Sequence, residues 1–124
     1  MKYEGKMDLE CIGLCNAINE IQGLRTFESC CGHGAEPYRI WFWAKDIESL
    51  APLLYYIDIW HTSFDGWSVK TNTDCSMKRP TFYIEGPVGA YEEAEQIAKS
   101  ILAFLETEEG KKYKFVSKGY FVWN

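Results

Sequence analysis

The run "YRIWFWA", Tyr38 to Ala44, constrains this chain more than any other stretch. It is aromatic-rich, too short for a typical helix, and apolar on both faces of a period-two pattern. A strand of that kind needs cover on both sides, so the pattern predicts a central strand rather than an edge. Tyr38, Ile40 and Phe42 share one face, and Arg39, Trp41 and Trp43 share the other.

The neighbours of this run set the architecture. "LRTFES", from Leu24, reads as a strand, and "GWSVKTN" and "TFYIEG" read as two more, each alternating. "DLECIGLCNAINEIQ" places Leu9, Ile12, Leu14, Ala17, Ile18 and Ile21 near helical spacing. Asp8 is positioned to cap that helix, and Gly23 to end it in a left-handed conformation. "DIESLAPLLYYID" predicts a second helix, capped by Asp46 or Ser49, with Pro52 favouring the later start. "AYEEAEQIAKSILAFLE" carries one apolar stripe through Ala94, Ile97, Ala98, Ile101, Leu102 and Leu105. At the end, "KYKFVSKGYFVW" predicts a β-hairpin from Tyr113 to Trp123 around Gly119. The order α-β-β-α-β-β-α plus hairpin implies a single α+β domain over residues 1–124. It is a sandwich of a mainly antiparallel sheet with helices packed on it.

Composition narrows the function classes. The net charge of −5 does not favour a protein that grips nucleic acid through phosphates, and the one lysine excess, "KKYKFVSK", follows the acidic "ETEEG". No stretch approaches a membrane span, and the start lacks an apolar run with a cleavage site. Five cysteines, two of them adjacent, suit no simple disulfide framework. The expectation is a cytoplasmic protein with reduced thiols.

The chemistry gathers in "TFESCCGHG", Thr26 to Gly34. The glycines let the backbone turn sharply and approach a bound group, and His33 lies within reach of either Cys30 or Cys31 across the turn. A nearby imidazolium or a row of backbone N–H groups turns a thiol toward thiolate. Three readings stay open. Cys30 or Cys31 is an activated nucleophile with His33 as acid or base. Or Cys11 and Cys15, one turn apart, join a loop cysteine and His33 around zinc. Or the loop is only a tight turn, with Cys11, Cys15 and Cys75 as small core residues. A strained vicinal disulfide between Cys30 and Cys31 is a further form.

Other features carry weaker signals. "EGPVGAYEE" runs into a helix N-terminus but lacks a phosphate-loop lysine, and Glu92 and Glu93 would repel an anion. The Trp41–Trp43 face is core if covered and a stacking platform if open, with core the better expectation. His61 is expected in a solvated loop, and the terminal hairpin at an interface such as a homodimer's.

The segment Lys6 to Gly34 resembles the N-terminal part of the wybutosine-synthesis N4-methyltransferase family, which modifies a hypermodified guanosine in phenylalanine tRNA. The resemblance rests on a start containing Lys and Asp, the pair Ile18-Asn19, Thr26, and Ser29, Cys30 and Gly32 of a Ser-Cys-x-Gly-Arg loop. His33 stands where that family has arginine. The resemblance implies an α/β sandwich whose loop lies in a cleft for S-adenosylmethionine and a nucleotide or RNA base. On that view Ser29, Gly32 and Gly34 contact the cofactor. Cys30, Cys31 and His33 position substrate or transfer protons, and Arg39 and Trp41 contact the substrate. The alternative expectation is a non-catalytic binding or interaction protein that uses its aromatic strands.

Overall fold

Helix α1, Leu9–Asn19, ends without help from Gly23: Glu20 caps it in a right-handed conformation. The computed structural model describes residues 8–57, 64–72 and 80–115 of the 124-residue chain. Within them follow β1 (Leu24–Cys30), β2 (Tyr38–Ala44), α2 (Ala51–Ile57), β3 (Ser68–Thr71), β4 (Thr81–Gly86) and α3 (Tyr91–Leu105). The order matches the α-β-β-α-β-β-α expectation. Cys75, His61 and the turn and second arm of the terminal hairpin lie outside the described residues. The described beginning of that hairpin is a 3-10 turn, Gly110–Tyr113, followed by a single bridge from Lys114 to Ile21.

The four strands form one antiparallel sheet in the order β1-β2-β4-β3. β2 is central in the sheet, as expected, although only one of its two apolar faces is fully buried. Among the described residues, helices cover one face only. There Tyr38, Ile40, Phe42 and Ala44 of β2 and Ile84 of β4 meet Leu14 and Ile18 of α1 and Ile97 and Ile101 of α3, all fully buried. Each of the Leu, Ile and Phe side chains among them contributes about 1.5–3 kcal/mol by leaving water. Leu9 and Ile12 stand on the exposed side of α1, and Leu102 on that of α3. The buried stripe of α1 runs instead through Cys11, Leu14, Cys15, Ile18 and Asn19.

The opposite face of the sheet carries Arg39, Trp41 and Trp43, each half-buried. The expectation that these tryptophans are core is corrected: alternation in β2 points them away from the helices. They pair with other aromatics on the same face. Phe27, at a bulge in β1, stacks on Trp43 with ring centres 4.9 Å apart, and Trp41 lies 5.9 Å from Tyr83.

Gly23 is required for a different reason than helix termination. A Cβ there would stand 1.8 Å from the Ser49 hydroxyl oxygen, in the turn that leads into α2. That turn, Ile47–Leu50, is held by Asp46, whose carboxylate accepts from both the Ser49 N–H and its hydroxyl. Pro52 then sits in the first turn of α2, where a missing N–H costs nothing.

Candidate functional site

The loop between β1 and β2 turns through three consecutive left-handed residues: Gly32 (φ 83°), His33 (φ 52°) and Gly34 (φ 79°). Only glycine adopts this freely; for His33 it costs about 1–2 kcal/mol. Gly32 is doubly required, because a Cβ on it would come within 3.0 Å of the Pro37 carbonyl oxygen. Thiols hold the turn. The Gly32 N–H donates to Cys30 Sγ at 3.4 Å, and the His33 N–H to Cys31 Sγ at 3.3 Å.

Asp8 completes the arrangement. Its side chain makes no cap bond to its own helix. One carboxylate oxygen instead accepts from the Cys31 N–H at 2.9 Å and lies 3.9 Å from His33 Nε2, while His33 Nδ1 lies 3.9 Å from Cys31 Sγ. That backbone bond holds the Asp8 carboxyl below its ordinary value, with the nearby His33 adding in the same direction. Cys31 is buried and its thiol is pushed up by that burial, against the pull of the His33 N–H and the Tyr91 hydroxyl that faces it. Tyr91 opens α3, so the N-terminal ends of α1 and α3 both meet this loop.

The predicted site residues separate into three groups. Cys31 and His33 come together with Asp8. Cys30 points to the open sheet face opposite Arg39, and Trp41 lies two residues along that face. Ser29 turns the other way, toward the helices. Its hydroxyl is buried without a conventional partner, with the thiols of Cys11 and Cys15 as its weakly accepting surroundings. Ser29 therefore does not face the loop's exposed side, which removes it as a cofactor contact there. Gly34 is exposed with open space around its Cα.

The zinc set built on Cys11 and Cys15 is corrected as well. Both are sealed between α1 and the sheet, and burial pushes their thiols up to about 12 and about 11. They serve as core residues. The four described cysteines are free thiols, so Cys30 and Cys31 form no vicinal disulfide.

Sequence reasoning missed Asp8 as a loop partner, and with it Tyr91, Tyr83 and Glu85. Glu85 anchors both Arg39 and Lys70 on the open face, each at 2.7 Å. The Lys70 bond, then Arg39, holds its carboxyl below the usual range. A cavity of about 230 Å³, lined among others by Gln22, Lys45, Glu48, Lys112 and Tyr113, opens at the far end of β1. It lies about 20 Å from the loop, one strand length away. Its walls are polar and hold no cysteine or histidine, so the chemistry points to the loop rather than to this cavity. Among the described residues no helix is long and apolar enough to cross a membrane. Comparisons with protein families, with curated proteins and with solved structures find no match to this chain.

Proposed function

We propose that this protein binds a nucleoside-class ligand on the open face of its sheet, beside the Cys30–Gly34 loop, and acts on it there. The observation that carries this reading is the strand register. Cys30 pairs with Arg39, Trp41 with Tyr83 and Arg39 with Glu85, so all five stand on the face that the helices leave open. Trp41 and Tyr83 supply π-surfaces of the kind on which planar bases stack, at about 1–3 kcal/mol per base. Arg39, anchored by Glu85, sets a positive group next to them. At the loop end of the same face the Cys30 thiol is placed to orient the ligand, and the exposed His33, on the rim beside Asp8, is the nearby group that would exchange a proton with it. S-adenosylmethionine is the ligand that the Ser29–Cys30–x–Gly32 resemblance implies, and a nucleotide or RNA base the substrate. The methyltransferase activity itself is part of the proposal.

The test is titration of the full chain with S-adenosylmethionine and with free nucleosides, followed by tryptophan fluorescence and by thermal midpoint. Saturable quenching with a raised midpoint, lost in Trp41→Ala, supports the reading. Absence of both, with a concentration-dependent dimer in sedimentation, favours the second reading. In that case the Phe27–Trp43 and Trp41–Tyr83 pairs form a contact surface for another copy of the chain.

A further inference from the structure

We propose that Asp8, Cys31 and His33 form a binding site for a divalent ion of the zinc type, with its fourth coordination position left open. One donor atom from each residue lies within 4.8 Å of the other two. A tetrahedral zinc ion with bonds of about 2.0–2.3 Å holds its donors roughly 3.3–3.8 Å apart. The widest pair must therefore close by about 1.5 Å at most. His33 is the group that closes it: its side chain is 72% exposed and free to rotate about its own bonds, whereas Cys31 is fixed by packing.

The donor chemistry selects the ion. Calcium and magnesium take six or more oxygen donors, and this site offers one carboxylate. A sulfur, an imidazole nitrogen and a carboxylate oxygen suit zinc or a neighbouring first-row ion. The surroundings orient two of the three ligands, Cys31 and Asp8, in advance. The His33 N–H donates to Cys31 Sγ, the Tyr91 hydroxyl faces the same sulfur, and the Cys31 N–H holds the Asp8 carboxylate. Hydrogen bonds of this kind around metal ligands fix their direction and raise affinity. Cys30 lies outside the set, since its sulfur is held by Gly32 and faces the sheet. Cys11 and Cys15 lie outside it in the core.

Three protein ligands with an open fourth position are the arrangement of a working zinc site rather than a purely structural one. In the loaded site His33 is a ligand, and its proton-exchange role passes to the group in the open position. The assignment stands on these three residues alone and does not depend on a nucleoside binding the sheet.

The probe is cobalt(II), titrated into the reduced, chelator-treated 124-residue chain in the absence of any nucleoside. The expected result is a single ion per chain with a sulfur-to-cobalt charge-transfer absorption. His33→Ala, which removes only an exposed side chain, should weaken cobalt binding by about tenfold or more, and Asp8→Asn should do likewise. Cys31→Ser should abolish the charge-transfer band; if that variant fails to fold, the His33 and Asp8 variants still decide. Cys30→Ser should leave stoichiometry and spectrum unchanged. The assignment is overturned by a flat spectrum at saturating cobalt. It is equally overturned by cobalt uptake that persists unchanged in the Asp8→Asn, His33→Ala double variant.

Discussion

Cys31 donates its backbone N–H to the carboxylate of Asp8 across 23 residues of chain, at 2.9 Å. This one bond ties the start of α1 to the loop that leaves β1. It brings a carboxylate, a thiol and an imidazole together at the edge of the sheet, where neither helix propensity nor strand pattern would place them. The loop is consequently anchored at both ends, by β1 and β2 on one side and by two helix N-termini on the other.

Asp8→Ala should lower stability by about 1 kcal/mol, the value of a charge-assisted bond discounted for a partly solvated partner. The effect is pH-dependent with a definite sign. The folded-state carboxyl lies below its ordinary value of 3.8, so its contribution is complete above that pH and fades as pH falls through the lower folded value. Thermal midpoints of wild type and Asp8→Asn, measured from neutral to strongly acid pH, should converge at the acid end. A constant offset across the range would mean that the carboxylate charge is irrelevant.

His33→Gly should cost no stability and should gain up to about 1 kcal/mol, because φ of 52° is relieved while little packing is lost. Denaturant midpoints check this directly. The same substitution should remove whatever binding or chemistry the loop performs. A clear loss of stability would show that the ring is a packing element.

Gly23→Ala should destabilise by about 1–3 kcal/mol, since its methyl would overlap Ser49 at 1.8 Å. Adding Ser49→Gly should restore part of that loss, and the pair should be strongly non-additive in a double-mutant cycle. Additive effects would place the role of Gly23 elsewhere.

The two faces of β2 should respond differently. Phe42→Ala, on the helix side and fully buried, should cost about 3–5 kcal/mol in urea unfolding. Trp41→Ala, its half-buried neighbour on the open side, should cost less than half as much. Equal losses would mean that the tryptophan face is as deeply packed as the core.

The contrast between these faces also marks what was legible in the sequence. "YRIWFWA" and "TFYIEG" stand as strands over their predicted residues because strong alternation leaves one register in which the apolar set is buried. Period two divides Phe42 from Trp41, but it cannot say which side the helices take; that depends on the crossover connections. For Cys11 and Cys15 the reading as small core residues, one of those left open, is the one the structure bears out; it came from cysteine's usual burial and not from the predicted stripe, which omitted both. Asp8 did not read as a loop partner, because capping residues are recognised by local spacing and its acceptor role spans 23 residues. Gly23 carried the residue type of a left-handed terminator, while its actual constraint, the approach of Ser49, is tertiary. The loop's composition announced reactive groups; which of them converge was decided by the direction of each side chain off β1, with Ser29 inward, Cys30 outward and Cys31 to the rim.

The most direct test of the central claim is a two-dimensional NMR titration of the full chain with S-adenosylmethionine and with adenosine. Saturable shifts are expected, confined to the indole of Trp41 and the backbone of Cys30, Arg39, Tyr83 and the Gly32–Gly34 turn. Shifts that cluster instead around Gln22, Lys45 and Tyr113, or none at saturating ligand, would contradict that claim.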